Sequence, residues 1–413
     1  MRCERGGKAM LLQLAARNLL RHRVRSATAL AAIAFGVAAM ILAGGFVHDL
    51  YFQLGEALIR SQSGHLQVGQ AALFAQGSRM PEKHRIAAPE KVKTQLAQVP
   101  GVARTMARLN FTGLLNNGKV DVPILGEGIE PAPEAELARS ISILAGRALR
   151  AEDRNGMLIG EGLAATLKLK PGDPVTLVAS TLDGAMNTGD FTVTGVFRSF
   201  SKDYDDRAVR LPLPAAQELL ATDDANLIVV LLDDTGRTAA ATAAAQNELA
   251  GSGLVVKRWE EINDFYANTV ALYDRQFAVL RLIMLFMVLL GVANAVNMSV
   301  FERMSEFGTM RALGNRSGFV VALILAECLL LGLAGAIVGV LAGALLAQVI
   351  SLIGIPMPPP PNSNSGYTAR ILLLPAIALQ AFTIGSMAAL LSGVIPALRA
   401  RRVSIVDALR TAH

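Results

Sequence analysis

Four long apolar runs constrain the fold of this chain more than any other feature. They cover residues 26–47, 282–300, 317–353 and 371–398. A helix needs about 20 apolar residues to cross a hydrocarbon core of about 30 Å, and each run meets that requirement. Charged residues make up only 17% of the chain, against roughly 25% in soluble domains. The sequence therefore predicts an α-helical membrane protein with four transmembrane helices.

The third run is the longest, and it contains one charged residue, Glu327. It has no proline before Pro356, and a backbone break in lipid would leave peptide groups without hydrogen-bond partners. We therefore expect one span here rather than two.

The first run follows several arginines, so a cleaved signal peptide is an alternative to an anchor. The apolar part of a signal peptide typically has about 7–15 residues, which is shorter than this run. No convincing small-residue cleavage site precedes His48. We interpret the run as a membrane anchor.

Arginines cluster at one end of each apolar run. The clusters are Arg17, Arg21, Arg23 and Arg25; Arg303, Arg311 and Arg316; and Arg399, Arg401, Arg402 and Arg410. Because short basic segments stay in the cytoplasm, both termini are predicted to be cytoplasmic. The net charge of +6 comes mostly from these arginines, so we do not expect a nucleic-acid partner.

The remaining connections then lie outside, and the largest one is a domain. The predicted segments are a cytoplasmic amphipathic segment (1–25), the first transmembrane helix and stalk (26–60), an extracytoplasmic domain (61–258), a stalk and second transmembrane helix (259–300), a cytoplasmic helix (301–316), the third transmembrane helix (317–353), a proline-rich outer loop (354–370), the fourth transmembrane helix (371–398) and a cytoplasmic tail (399–413).

The extracytoplasmic domain is predicted to be a large mixed α/β domain between the first and second transmembrane helices. Strands are expected at 65–68, 120–125, 175–178, 191–197 and 227–232, and helices at 89–98, 161–169 and 238–249. Residues 128–221 are a candidate inserted subdomain. The two cysteines, Cys3 and Cys328, both lie outside the domain, so no disulfide framework is expected.

Motifs for chemistry are absent from the sequence. It has no phosphate-binding loop, no H-E-x-x-H pair, no C-x-x-C and no G-x-S-x-G. The isolated His65 and His84 are expected to be surface or strand residues, and Asp153 and Asp173 to be turn residues. We predict no catalytic, cofactor or metal site and no ATP hydrolysis by this chain.

The charged segment 301–316 lies directly between two apolar runs. If it is helical, Glu302 and Glu306 share one face, and a less polar face holds Phe301, Met304, Gly308 and Ala312. Such a helix can dock into the groove of a partner. A plain cytoplasmic loop is the alternative that composition alone favours.

Two features of the third span also invite a functional interpretation. Gly335, Gly339 and Gly343 form a small-residue face that permits close helix contact, either with a second copy or within the chain. Glu327 either faces a polar cavity or a partner chain, or lies near the membrane interface.

The sequence E-F-G-T-M-R-A-L-G at residues 306–314 closely resembles the coupling-helix signature of type VII ABC transporter permeases, the MacB/FtsX-like family. Further segments resemble family motifs in the same order, namely 16–21, 146–153, 158–164, 170–173 and 396–410. The resemblance covers essentially the whole chain. The sequence S-G-H-L-Q-V at 63–68 and the proline-rich loop are most similar to the lipoprotein-releasing LolC/LolE permeases.

This resemblance implies a permease in the bacterial inner membrane that pairs with a second permease, the same or homologous. Each would bind a separate cytoplasmic ATPase, which holds ATP and magnesium, through Glu302, Glu306, Gly308, Arg311 and Gly314. The stalks would then transmit movement to the periplasmic domain. The expected cargo is a lipoprotein or another hydrophobic substrate, with a possible periplasmic acceptor.

Two other classes of protein remain as alternatives. One is an ATP-driven signalling or scaffold protein that regulates an extracytoplasmic partner such as a cell-wall hydrolase. The other is a secondary transporter, whose path normally shows polar or broken helices in more spans than this sequence has.

Overall fold

A computed structural model describes residues 2–21, 23–75, 81–137, 141–181, 183–359 and 366–402, with the side chains of residues 2–9 and 265 excepted. The helices are α1 (Arg2–Arg21), α2 (Arg23–Leu58), α3 (Ala71–Ala75), α4 (Pro89–Leu96), α5 (Pro131–Leu137), α6 (Glu161–Leu167), α7 (Lys202–Asp205), α8 (Leu213–Leu220), α9 (Thr238–Glu248), α10 (Trp259–Ile262), α11 (Asp264–Glu302), α12 (Met304–Ala312), α13 (Ser317–Ile353), α14 (Pro375–Ser392) and α15 (Val394–Arg402). A π-helical turn (Ile59–Ser63) follows α2, and short 3-10 helices occur at Pro81–Lys83 and Thr235–Arg237.

The strands are β1 (Leu66–Gln70), β2 (Val102–Asn116), β3 (Asp121–Ile129), β4 (Ser142–Gly146), β5 (Gly156–Gly160), β6 (Pro174–Ser180), β7 (Met186–Arg198), β8 (Ala208–Pro212), β9 (Leu227–Leu232), β10 (Leu254–Arg258), β11 (Ile355–Met357) and β12 (Tyr367–Ala369). Two compact units result. The membrane unit comprises Met1–Tyr51, Val270–Pro356 and Thr368–His413, and the α/β domain comprises Phe52–Thr269 and Met357–Tyr367.

Within the described residues, four helical segments are long and apolar enough to cross a membrane. They are Arg23–Ser63, Tyr266–Glu302, Ser317–Ile353 and Pro375–Arg402. The prediction of four transmembrane helices is confirmed, and the third apolar run forms one uninterrupted helix, as expected.

Three helix boundaries differ from the sequence-based prediction. The stalk helix predicted from Trp259 is interrupted at Asn263 (φ −97°, ψ 87°), so α11 begins at Asp264. At its other end, α11 is two residues longer than the predicted span and extends to Glu302. Arg303 (φ −102°, ψ 14°) separates it from α12, which is shorter than the helix predicted at 301–316. The fourth span is divided between α14 and α15 at Gly393, since Pro396 has no N–H to donate to the Ser392 carbonyl.

The small-residue face of α13 packs against α2 of the same chain. A methyl group added at Gly339 would lie 2.8 Å from the Ala34 carbonyl oxygen, and one at Gly335 would lie 2.8 Å from the Ile33 Cβ. At Gly343 the added group would lie 3.1 Å from the Ala38 Cα. The structure therefore supports the interpretation of these three glycines as contacts within the chain.

The α/β domain is built on one ten-stranded sheet. The strand order is β10-β1-β9-β2-β3-β8-β5-β7-β4, and β6 pairs with β2 and β7. The β3–β8 and β5–β7 pairs are parallel, whereas the other pairs are antiparallel. The predicted strands and helices all occur, with boundaries shifted by a few residues. Strands β4 to β8 of the candidate inserted subdomain belong to the same sheet and the same compact unit, so a separate subdomain stays a prediction.

Strand β9 shows that the sheet is covered on both faces. All six residues of its L-I-V-V-L-L sequence are buried. Ile228 and Val230 belong to the main core, which includes α4, α6, α8 and α9, while Val229 packs in a second cluster with Ile59 and Trp259. A strand buried on both faces reads as a continuous apolar run, as this one does.

The first stalk ends where the π-helical turn meets the sheet. Gly64 follows the turn with φ 62°, and a methyl group there would lie 2.3 Å from the Val229 Cγ1. Only glycine suits both the positive φ and the close approach. This glycine lets the chain leave the helix and enter β1 directly.

Candidate functional site

An ion network holds α12 in the membrane unit. Arg303 Nη1 donates to both Glu327 carboxylate oxygens at 2.9 Å, and Arg303 Nε donates to Glu306 at 3.0 Å. Arg303 is 3% exposed and Glu327 is 8% exposed. A buried ion pair of this kind leaves an uncompensated charge if one partner is removed.

Further contacts connect this pair to α1 and α2. Asn18 Nδ2 donates to Glu327 Oε1 at 2.7 Å, Arg21 lies 3.7 Å from Glu306, and Arg25 pairs with Glu302. We call this set the end network; it comprises Asn18, Arg21, Arg25, Glu302, Arg303, Glu306 and Glu327. It joins α1, α2, α11, α12 and α13 through side chains.

The end network changes the interpretation of several predicted residues. Glu302 and Glu306 do not share one helical face, because Arg303 interrupts the helix between them. Glu327, which was predicted to face a polar cavity or a partner permease or to lie near the membrane interface, binds Asn18 and Arg303 of its own chain. Gly308 is buried in α12, and its contact with an ATPase stays a prediction. Arg303 was not among the predicted site residues, although a charged residue close to an apolar run was a signal for it.

The carboxyl end of α12 is the exposed part of this segment. Leu313 is 81% exposed, and Gly314 turns the chain with φ 95° while its N–H donates to the Arg311 carbonyl at 3.1 Å. Phe301, before the helix, is also exposed. The exposed residues of this segment thus include Phe301 and the whole 312–316 turn, and contact of the predicted residues with an ATPase stays a prediction.

A second buried charge cluster lies in the α/β domain. Arg108 on β2 pairs with Glu134 on α5, and Arg210 on β8 donates to Glu127 on β3 at 3.0 Å. Arg210 Nε also donates to the Tyr204 hydroxyl at 3.0 Å. Sequence analysis did not identify this cluster, since its members come from five separate elements.

Burial and charge act in opposite directions within this cluster. Burial alone would raise the pKa of Glu127, but the charges of Arg210 and Arg108 outweigh it and hold that pKa below its usual value. Burial raises the pKa of Tyr204, and the Glu127 charge adds to that shift. The carboxylate is thus ionised and the phenol neutral at neutral pH.

His65, which was predicted to be a surface or strand residue, is buried directly before β1 of the same domain. Its Nδ1 accepts from the Leu232 N–H at 3.1 Å, so the ring proton is on Nε2, which donates to Thr235 Oγ1 at 2.9 Å. The Thr235 hydroxyl in turn donates to Glu56 on α2. Burial lowers the pKa of His65 to about 4, so the ring is neutral at pH 7.

Other predicted residues have the expected local roles. Asp153 accepts from the Arg150 N–H at 2.8 Å and pairs with Arg147, and Asp173 accepts from the Lys170 N–H at 2.8 Å. Both are turn residues. No group of three or more histidine, cysteine, aspartate or glutamate side chains that could hold a metal occurs within the described ranges. The motif predicted at 407–410 lies outside the described residues.

Comparison with known proteins extends over both units. Residues 26–248, more than half of the chain, match the MacB-like periplasmic core domain, and residues 278–405 match the FtsX-like permease C-terminal region. The uncharacterized ABC transporter permease MJ1507 of Methanocaldococcus jannaschii is 24% identical over 64% of this chain and 64% of its own length. The lipoprotein-releasing system transmembrane protein LolE of Haemophilus influenzae is 22% identical over 76% of this chain and 75% of its own.

Among solved structures, the periplasmic region of MacB from Actinobacillus actinomycetemcomitans aligns with 51% of this chain and 95% of its own length, at 12% identity and a TM-score of 0.35. The family assignment depends on the two matched regions, which together cover most of the first membrane helix, most of the α/β domain and most of the three later membrane helices. The chain belongs to the type VII ABC transporter permeases, which combine a MacB-like periplasmic core domain with an FtsX-like permease region.

Proposed function

We propose that this chain works with a separate cytoplasmic ATPase to extract or export a lipoprotein or another hydrophobic substrate. The ATPase binds ATP and magnesium, and a second permease, identical or homologous, completes the transporter. In this proposal α12, the turn that follows it and both termini face the bacterial cytoplasm. The α/β domain then faces the periplasm, where an acceptor can receive the substrate.

The observation that carries this proposal is the way α12 is held. Glu306 on α12 pairs with Arg303, which in turn pairs with the buried Glu327 on α13. The exposed Arg21 of α1 also lies 3.7 Å from Glu306, while the turn after α12 exposes Leu313. A partner that pushes on this turn therefore moves several membrane helices together. A plain loop would have no need of the buried Arg303–Glu327 pair, because a buried charge is costly to desolvate.

The substrate class is supported by the relatives and by the surface of α11. LolE is named as part of a lipoprotein-releasing system, and the similarity covers most of both chains. Only 17% of the most apolar stretch of the second span, which lies in α11, is buried within the chain. Its exposed large apolar side chains are Leu272, Val279, Leu280, Leu282, Ile283, Phe286, Met287, Leu290, Met298 and Phe301. This face can contact acyl chains or a second permease.

Affinity purification tests the ATPase contact. The tagged chain, purified in mild detergent from its native host, should recover a Walker-motif ATPase, identified by mass spectrometry. Replacing Leu313 by Glu should reduce recovery of the ATPase about fivefold or more, since an exposed apolar anchor at an interface contributes about 1–2 kcal/mol or more. Leu20→Glu is the matched control, because Leu20 is 69% exposed on α1.

The outcomes separate the proposal from its alternatives. Loss of the ATPase with Leu313→Glu but not with Leu20→Glu supports the contact at the turn after α12. Intact chain without any ATPase in several detergents would contradict the proposal. Recovery of a lipoprotein that is released on addition of ATP supports the substrate class, whereas an ATP-dependent hydrolase partner without lipid cargo favours the signalling alternative.

A further inference from the structure

Two buried arginines contact the end of the first stalk. Arg108 Nη1 donates to the Gln62 carbonyl oxygen at 2.5 Å, and Arg210 Nη2 donates to the Ser61 carbonyl oxygen at 3.1 Å. Ser61 and Gln62 lie in the π-helical turn that continues α2. The two arginines come from different strands, β2 and β8. The stalk end is thus held by the sheet at two points.

The carbonyl groups at the stalk end lack hydrogen-bond donors within their own helix. The last carbonyl groups of a helix have no partner within the helix, and they carry a partial negative charge that attracts cations. Gly64 ends the turn abruptly, so the helix cannot continue to supply N–H donors. Guanidinium groups can bind these carbonyl oxygens, because their N–H donors are fixed in one plane.

Both arginines are held in place by other contacts. Arg108 pairs with Glu134 on α5, and Arg210 pairs with Glu127 and lies 5.4 Å from the Phe197 ring centroid and 5.6 Å from that of Tyr204. Each arginine is at most 3% exposed. Neither guanidinium can follow the stalk without moving its strand.

We propose that Arg108 and Arg210 form a clamp that couples movement of α2 to the sheet of the α/β domain. The clamp transmits displacement of the stalk to β2 and β8 and through them to the whole sheet. These are positioning residues, and they contact no substrate in this proposal. The coupling role rests on the proposed function, whereas the attachment of the stalk end does not.

The chain offers a matched control for the clamp. Arg104 also lies on β2 and pairs with Glu136 on α5 at 3.0 Å, as Arg108 pairs with Glu134. The Arg104–Glu136 pair is exposed, with side-chain accessibilities of 54% and 46%. Within the part of the chain that the structure describes, Arg104 donates to Glu136 and to the Ala103 carbonyl oxygen but to no carbonyl of the stalk. The two pairs therefore differ in burial and in contact with the stalk.

The test compares Arg108→Met/Glu134→Leu with Arg104→Met/Glu136→Leu in the full chain, reconstituted in nanodiscs with its ATPase. Replacing both partners of a buried pair by apolar residues preserves folding in many proteins. Arg108→Lys is the second variant. It keeps the charge beside Glu134, but a single ammonium group cannot hold both the carboxylate and the stalk carbonyl.

Hydrogen exchange measured by mass spectrometry gives two readouts. Without nucleotide, amide exchange at 59–66 should rise roughly tenfold or more in both Arg108 variants, because a charged hydrogen bond is lost, and should stay unchanged in the Arg104 variant. With ATP, protection changes in α12 should persist in the clamp variants, while the changes in β2 and β8 should disappear. A purely structural role would not remove the nucleotide response from the sheet alone.

The results distinguish the clamp from the proposed function. Absence of any nucleotide response in the wild type would contradict the ATPase mechanism, and the exchange at 59–66 would still decide the attachment. Unchanged exchange at 59–66 in folded Arg108 variants, or a wild-type nucleotide response in their β2 and β8, would overturn the clamp.

Discussion

The two buried charge networks of this protein differ in the groups that their arginines bind. In the membrane unit, Arg303 and Glu327 bind each other, and the partners around them are side chains on other helices. In the α/β domain, Arg108 and Arg210 bind carboxylates but also donate to main-chain carbonyls of the stalk end. The first network sets which helices lie together, since both partners are specific side chains. The second holds a helix end whatever side chains the turn carries.

The largest effect is expected when the end network loses its carboxylate. Glu327→Ala leaves the Arg303 charge buried, and breaking a buried pair typically costs about 3–5 kcal/mol. Thermal unfolding of the detergent-solubilised chain, followed by size-exclusion fluorescence, measures the loss. Arg303→Met/Glu327→Leu should recover most of it, because no unpaired charge remains. A wild-type melting temperature for Glu327→Ala would show that the network contributes little.

The folding stability of the chain should depend on pH through His65, which contacts Glu56 of the first stalk by way of Thr235. The pKa of His65 is about 4 in the folded protein, whereas an unperturbed imidazole ring has a pKa of 6.5. Between these values the unfolded chain binds a proton that the folded chain does not, so stability should fall as pH drops from about 7 to 4. The full loss is up to roughly 3 kcal/mol, at 1.36 kcal/mol per pKa unit.

Chemical unfolding of the full chain at several pH values measures this dependence. His65→Gln, which keeps one donor and one acceptor, should flatten the curve between pH 4 and 7. An unchanged slope in that variant would assign the effect to other groups. Asp153 is a poor candidate for this window, because its pKa is held at about 2 by Arg147.

A smaller effect is expected from the α13 glycines that pack against α2. Gly339→Ala would place a methyl group 2.7 Å from the Val37 Cβ, and such overpacking typically costs about 1–3 kcal/mol. Gly318→Ala is the control on the same helix, where the added group would meet no other described atom within 4 Å. The control should be neutral or slightly stabilising, because alanine favours a helix more than glycine. Equal melting temperatures for the two variants would argue against close contact at Gly339.

The smallest effect is expected from the exposed counterpart of the clamp. Arg104→Gln breaks only the exposed pair with Glu136, and exposed pairs typically contribute about 0–1 kcal/mol. Arg108→Gln should destabilise the chain several times more in the same unfolding assay. Comparable losses for the two variants would mean that burial and the stalk contact of Arg108 add no stability.

Features that depend on local sequence were predicted correctly. The four spans follow from the length of apolar runs, and β9 follows from its L-I-V-V-L-L sequence. Asp153 and Asp173 were identified as turn residues because their partners lie within six residues. The start of α12 was less predictable, because the helix break at Arg303 is coupled to a distant partner, Glu327.

The sequence by itself therefore determined that this chain spans a membrane four times, carries a mixed α/β domain and places a charged segment between two spans. Only the tertiary structure decided that Glu327 pairs with Arg303 and that Arg108 contacts the stalk end. These partners lie 24 and 46 residues apart along the chain. Hydropathy and turn propensity report on neighbours within one element, whereas the pairing of buried charges depends on how separate elements pack.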